Sequence, residues 1–420
     1  MAQVLKLSVA VSVLAVAWPA HAETLNWEAC VQEAWAQNTE LRIARANLEA
    51  SQFQAQGAYS GFLPQVSASA SHTDSKDGAT TTSSGTTSPY STAISVTQNI
   101  FAGFQDQAKV AQGAANSELA EASLAAAAAR VNHDLRSAFA GLAYAQANVT
   151  LTENIMHRLQ ENLRLVELRF EGGRENKGSY LLTKAQLGQA RFEYLQAQQA
   201  LTTARAQLAR VLGRAPPDDL AVTGAVPSNE PQAQPDYVRL VEQTPDYRQA
   251  TAEEKAAAAG IQLARAPLYP SLNLTGVSSR DGDQWYPEDP RRTIGLTLTV
   301  PIFSGGRDYY ATQSAIATHA AATTTKMGVD QQVLVKLKQA HAAFVESVEK
   351  LRVDEAFLEA AITRADIARA KYQNGLISFE DWDRIENDLI LRQKTLLQSR
   401  RERVNAEAVW ELTIGKGLVS

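Results

Sequence analysis

Tyr90-Ser91-Thr92-Ala93-Ile94-Ser95-Val96-Thr97-Gln98-Asn99-Ile100-Phe101-Ala102-Gly103 is the stretch that decides the fold of this 420-residue chain. Tyr90, Thr92, Ile94 and Val96 alternate with Ser91, Ala93, Ser95 and Thr97, the period of two that marks a strand. One face is largely apolar and the other small and polar. The strand is about the ~9–11 residues needed to cross a bilayer at a tilt, and its two faces suit lipid on one side and water on the other. Directly after it, residues 102–168 contain no proline. As one helix those 67 residues would extend roughly 100 Å at 1.5 Å per residue, far beyond what an ordinary globular domain uses.

Working outward, the chain repeats this succession. Ile294, Leu296, Leu298 and Val300 alternate with Thr293, Gly295, Thr297 and Thr299, and a second proline-free stretch covers 304–370. Upstream of each strand lies a shorter alternating run, with Val66, Ala68 and Ala70 in one copy and Leu272 and Leu274 in the other. Ala58–Pro64 aligns with Ala264–Pro270 at an offset of 206, and Ile100-Phe101-Ala102-Gly103 with Ile302-Phe303-Ser304-Gly305 at 202. Arg169-Phe170-x-x-Gly173 then aligns with Lys371-Tyr372-x-x-Gly375, and Leu212-Gly213 with Ile414-Gly415. The four-residue change of offset falls between Pro64 and Phe101, so that stretch tolerates length variation, as loops do. The sequence therefore predicts two copies of one unit, 23–213 and 236–415. They are joined by a linker over 214–235 that carries five prolines, and a short tail follows at 416–420.

Within each unit the reading is helix, two strands, very long helix, helix. Helices are expected over 26–60 and 236–266, rich in Ala, Glu, Gln, Leu and Arg and stopped by Pro64 and Pro270. Strands are expected near 65–74, 90–100, 271–279 and 292–302, with exposed hairpin loops over 74–89 and 279–291. Long helices are expected over 102–168 and 304–370, and second helices over 180–212 and 381–413. Leu135, Phe139, Leu142, Val149, Met156, Leu159, Leu163 and Val166 recur at spacings of three, four and seven, as do Val333, Leu337, Phe344, Leu351, Leu358 and Ile362. This is a coiled-coil seam, and the Ala-rich run 122–129 lets neighbouring helices approach closely. Gly172-Gly173 and Gly375 break the long helices, so each unit closes in a helical hairpin with a glycine-bearing tip.

At the N-terminus, Lys6 precedes the apolar run 7–18, and Ala20-His21-Ala22 supplies small residues at the positions a signal peptidase requires. Residues 1–22 are expected to be a secretory signal peptide cut before Glu23. Net charge is −5, with no Lys/Arg block that suggests nucleic acid. Cys30 is the sole cysteine, read as a semi-buried helix thiol, which excludes an intrachain disulfide and multi-cysteine metal sites. Six scattered His and no nucleotide-binding, HExxH or GxSxG pattern leave neither a metal nor a cofactor expected, and an enzyme disfavoured. Four strands cannot close a membrane barrel, for which single chains need at least eight, and open edges in lipid cost several kcal/mol per group. Copies must close the sheet jointly, two giving eight strands or three giving twelve.

The order and spacing of these features resemble the TolC family of outer-membrane efflux and secretion channels over essentially the whole mature chain. The residues that carry the resemblance are the duplication, the strand entries Leu63-Pro64-Gln65-Val66 and Tyr269-Pro270-Ser271-Leu272, and the exits Gln98-Asn99-Ile100-Phe101 and Val300-Pro301-Ile302-Phe303. The turn from Tyr372 through Gly375 to Asp381 adds to them. The resemblance implies an α+β membrane protein. Its fold would be a trimeric 12-stranded β-barrel, four strands per protomer, continued by a long α-helical coiled-coil tunnel with an internal two-fold structural repeat. It implies residence in the outer membrane, surrounded by outer-membrane lipid and reaching into the periplasm. The channel would be passive, partnered by a periplasmic adaptor and an inner-membrane pump of RND, ABC or MFS type. Gly172, Gly173, Arg174, Gly375 and Leu376 match the adaptor-docking tips, and Tyr372, Asp381 and Asp383 the entrance constriction, where three Asp381 carboxylates would form a cation-favouring ring. Asp381 also reads as a helix N-terminal carboxylate facing the macrodipole. The chain departs from the family pattern at Ile377, Arg384 and Ser179, where some members carry the charged partners of a closing network; Asp383 or Glu380 is the substitute here. Trp27, Trp35 and Trp410 read as packing residues, and Tyr90 as an interface aromatic or an ordinary strand residue. The rival reading is a periplasmic coiled-coil scaffold or adaptor without a barrel, which would lack the duplication and need no detergent.

Overall fold

The computed structural model describes residues 24–73, 90–215 and 219–418. The expected signal peptide with its cut before Glu23, and the first hairpin loop, lie outside the described residues. In chain order the elements are β1 (Thr24–Leu25), α1 (Trp27–Gln37), α2 (Thr39–Gly57), β2 (Gln65–His72), β3 (Tyr90–Ala102), α3 (Gln105–Glu171), α4 (Lys177–Leu212) and β4 (Ala221–Val222). Then follow α5 (Tyr237–Gln243), α6 (Pro245–Arg265), β5 (Ser271–Gly282), β6 (Asp289–Thr299), α7 (Arg307–Gln373) and α8 (Phe379–Thr413). α3 and α7 are each 67 residues and begin 202 positions apart. Among the described residues no helix is long and apolar enough to cross a membrane.

Local chemistry shifts several expected boundaries. The single helices expected over 26–60 and 236–266 are each two. Asn38 ends the first and caps the second by accepting the Leu41 amide at 3.2 Å, and Thr244 does the same for Tyr247 with Pro245 behind it. A capping oxygen competes for amides that a continuing helix would use. β6 stops at Thr299, two residues before Pro301, which has no amide hydrogen to give to a ladder.

The chain divides into two compact units. One contains residues 33–137, 227–357 and 399–418 and carries the four-stranded antiparallel sheet, in order β2-β3-β5-β6. The register runs Val66–Val96–Gly276–Ile294 across one rung, so the alternation of each strand coincides on a common face. Val66, Ile94, Val96, Leu274, Ile294, Leu296 and Leu298 stand exposed there, with Ile294 at 84%. β2 and β6 each pair on one side only, leaving two open edges. Elsewhere in this unit Ala122, Ala126, Ala127 and Ala129 are buried, as close helix packing requires. Val241, Val333 and Leu337 form a core with Trp410 against it. A buried ion cluster sits beside them, where Arg136 Nε lies 2.7 Å from Glu411 and Asn132 donates to the same carboxylate at 3.1 Å.

The other unit contains residues up to 32, 138–226 and 358–398. Here β1 and β4 pair in parallel, and Leu220, Val222 and Val226 are buried. The stretch expected to be a linker is thus packed structure over this part. Its prolines block a long element, but its apolar side chains still find a core. On the other unit's side, Pro227 accepts a hydrogen bond from Arg136 at 3.0 Å. Cys30 is fully buried rather than semi-buried, and Trp27 meets Phe139 edge-on at 5.7 Å. The seam of α7 is also corrected. Ile362 is exposed, while Ala361, Ala365 and Ala368 are buried, and Ala361 and Ala365 share a core with Leu389.

Candidate functional site

The unit with residues 138–226 and 358–398 holds both hairpin tips. α3 ends with Gly173 at φ +68°, whose amide donates to Phe170 O at 3.0 Å while Arg174 donates to Arg169 O at 2.8 Å. α7 ends the same way 202 residues later. Gly375 has φ +73°, its amide donates to Tyr372 O at 2.9 Å, and Leu376 donates to Lys371 O at 2.8 Å. This paired arrangement is the Schellman motif. A Cβ on Gly173 or Gly375 would meet nothing within 4 Å, so the backbone conformation, and not crowding, calls for glycine. The next helices start within a few residues. Asn176 accepts the Ser179 amide at 2.9 Å, and Ser378 Oγ accepts the Asp381 amide at 3.1 Å. Each cap begins its helix two or three residues earlier than the sequence suggested, and both reversals stay short. Gly172, Gly173, Arg174, Gly375 and Leu376 are all exposed, Leu376 at 71%.

Tyr372 is enclosed within the tip. Its side chain is fully buried, with the ring stacked on Trp382 at 4.4 Å and the Arg169 guanidinium over its other face at 4.5 Å. The aromatic pair and the cation each gain from contact with this ring. Its hydroxyl donates to Glu175 at 2.8 Å, and Arg169 Nη1 donates to the Tyr372 carbonyl at 2.7 Å. Burial, and then the bond to Glu175, push the phenol's pKa well above its ordinary value, so it remains a neutral donor. Val166, Ala368 and Phe379 complete this core, with Ile377 packed against it. Ile377, at one of the departures from the family pattern, is therefore a packing residue.

Asp381 is exposed. It accepts the Ser378 hydroxyl at 3.0 Å and pairs with Arg384 at 3.0 Å. The capping and the ion pair both bear on the one carboxylate. Asp383 is half-buried and accepts from Gln186 at 2.9 Å and Asn387 at 3.0 Å. Ser179 is buried inside the first turn of α4, with its amide on the Asn176 cap. Glu380 is exposed.

The sequence reading did not find Glu175, Trp382, Arg169 or the ion pair deeper in the hairpins. Arg158 donates twice to Glu386, at 2.7 and 2.9 Å, and Asn162 donates to it at 3.4 Å. Glu386 is almost wholly buried. Its hydrogen bond raises the Arg158 pKa further, against the opposing effect of burial, so the guanidinium stays charged. A signal was present. Trp382, Glu386 and Leu389 are spaced four and three, so a carboxylate occupies a seam position, and so does Asn162 in the series Ile155, Leu159, Asn162, Val166. Among the described residues no group of His, Cys, Asp and Glu could hold a metal ion.

The sequence profile described as outer membrane efflux protein matches residues 30–214 and 237–415, both repeats. The chain belongs to that family. The two matched segments lie on either side of residues 215–236. The chain is 24% identical to nodulation protein T of Rhizobium leguminosarum bv. trifolii over 321 residues, covering 72% of this chain and 68% of that protein. It is 24% identical to the alkaline protease secretion protein AprF of Pseudomonas aeruginosa over 278 residues, covering 63% of this chain and 56% of AprF. Among solved structures, the Campylobacter jejuni CmeC outer membrane channel superposes with a TM-score of 0.82 at 16% identity, covering 92% of this chain and 85% of that one. The Vibrio cholerae outer membrane protein VceC superposes at 0.79 and 22% identity, covering 93% and 96%. At such identities the likeness establishes the fold.

Proposed function

We propose that this member of the outer membrane efflux protein family is the outer-membrane exit duct of a tripartite efflux or type I secretion system. Three copies supply four strands each to a 12-stranded barrel, and their helices continue it as a periplasmic tunnel. A periplasmic adaptor docks on the tips at Gly172–Arg174 and Gly375–Leu376, and an inner-membrane pump supplies the energy. The carrying observation is the four-stranded sheet. It presents one exposed apolar face and has two open edges, a combination tolerable in lipid only when the edges are paired. A relative named for protease secretion supports the reading, as does the fold shared with outer membrane channels. The entrance is lined by Asp381, with Asp383 two residues farther along α8. Tyr372 acts from inside the tip, tying the end of α7 to Glu175.

Edge pairing between copies gives the test. Cysteines placed at Ser69 in β2 and Gly295 in β6 are at opposite edges of one sheet. In a closed barrel these edges meet between neighbours. Oxidation of the double variant in isolated outer membranes is expected to yield covalent dimers and trimers, and each single variant to remain monomeric. Monomers alone from a set of double variants scanned along both edges would overturn the trimeric barrel. Solubility of the whole chain without detergent would restore the scaffold reading.

A further inference from the structure

The exposed face of the sheet changes character along its length. Toward the hairpin ends the rungs run Val66–Val96–Gly276–Ile294, then Ala68–Ile94–Ser278–Arg292, then Ala70–Thr92–Arg280–Pro290, then His72–Tyr90–Gly282. Successive rungs are about 7 Å apart, two residues of strand rise. An apolar band thus gives way within three rungs to two guanidinium groups and then to aromatic rings. Arg280 and Arg292 are diagonal neighbours on β5 and β6, a spacing of roughly 7–8 Å with the Cβ atoms somewhat closer.

Beside them is a cavity of about 540 Å³ whose walls include Ala70, His72, Tyr90, Arg280, Trp285 and Tyr286. His72 stacks on Tyr90 at 4.3 Å, and Trp285 stands edge-on to Tyr90 at 5.9 Å. Trp285 and Tyr286 are among the most exposed large side chains of the protein. Rings of this kind collect at the boundary between hydrocarbon and headgroups.

Among the described residues, neither Arg280 nor Arg292 takes part in an ion pair. Their neighbours in register are Thr92 and Pro290 for Arg280, and Ser278 for Arg292. The strand carboxylates nearest in sequence, Asp281 and Asp289, pair with each other in register and by alternation point to the opposite face. Asp283 and Glu288 belong to the turn and form no ion pair with either arginine. An arginine at the edge of a hydrocarbon band needs an anion to offset its desolvation, and its planar fork matches phosphate oxygens two at a time.

We propose that Arg280 and Arg292, with the cavity bounded by Tyr90 and Trp285, form a binding site for the phosphorylated headgroup of an outer-leaflet lipid. The inference rests on the barrel reading, since only there does this face meet lipid. Continuity with the apolar band favours a lipid over a free anion. The acyl chains lie along Ile94, Ile294 and Leu296 while the phosphates reach the guanidinium groups.

The test uses the purified full-length protein in mild detergent, with bound lipid counted by native mass spectrometry. The probes are bisphosphorylated lipid A, the same lipid stripped of its phosphates, and inorganic phosphate as competitor. Wild type is expected to retain the phosphorylated lipid at least tenfold better than the stripped one, and Arg280→Gln/Arg292→Gln to lose that preference. Equal retention of both lipids by wild type would overturn the proposal without reference to any variant. So would displacement by millimolar inorganic phosphate, which marks a small-anion site, or an unchanged preference in the double variant. The same preparation is placed in planar bilayers. Conducting channels without lipid preference overturn this inference alone, and failure to insert overturns the barrel reading beneath it.

Discussion

Replacing Gly375 separates backbone strain from surface contact at the α7–α8 tip. The residue has φ +73°, and a Cβ would meet nothing within 4 Å. The whole local cost of Gly375→Val is therefore the left-handed conformation, about 1–2 kcal/mol for an L-residue, toward the upper end for a β-branched one. The bonds at stake are the two that close the motif, Gly375 to Tyr372 O and Leu376 to Lys371 O. A loss of 1–2 kcal/mol corresponds to roughly 5–30-fold more opening, so the Leu376 amide should exchange with deuterium faster by that factor. Amides near Leu389 should not change. Gly375→Asn tolerates the same φ and should leave exchange nearly as in wild type. Both side chains project into the surface proposed for the adaptor. Export in a strain deleted for the native copy should fail for Val, and should also fall for Asn. Trimer yield and membrane insertion should match wild type in both. Normal export by Gly375→Val would refute the tip as the docking surface. Loss of the trimer would show that the glycine serves assembly instead. Gly173→Val should be milder, because Gly172 beside it can share the turn.

Three further outcomes are expected. Asp381→Asn should weaken block of the channel by multivalent cations in planar bilayers, and Arg384→Ala should strengthen it by freeing the carboxylate it pairs with at 3.0 Å; no change in either variant rules out an acidic ring there. Glu386→Ala strips the partner from a mostly buried guanidinium and should cost about 3–5 kcal/mol, read as a lower denaturation midpoint, while the pair of substitutions Arg158→Leu/Glu386→Leu should recover most of it. Because the folded state raises the Tyr372 pKa, its contribution to stability is complete below the unfolded value of 10.0 and is lost as pH climbs beyond it. The tip should thus loosen in strong alkali, seen as altered Trp382 fluorescence, and Tyr372→Phe, which cannot ionise, should remove that part of the pH response.

The sequence alone determined the elements and their repetition. Alternation with period two, two long proline-free stretches and the glycines at 173 and 375 are local signals, and each has a local physical cause in side-chain direction or backbone torsion. The expectation of partner copies also came from the sequence alone, because counting strands against a closed barrel requires no coordinates. Only the tertiary structure decided which residues occupy the tips' interior. Tyr372 has the sequence pattern of an entrance residue, but it faces Glu175, 197 positions away, and is enclosed by Trp382 and Arg169. Ile362 fits the heptad spacing, yet Ala361 and Ala365 are the buried pair. The sheet order β2-β3-β5-β6 fixed which strands carry open edges and brought Arg280 and Arg292 onto one face. Burial and pairing depend on what arrives from distant parts of the chain, and a period read along one helix or strand carries no information about its neighbour.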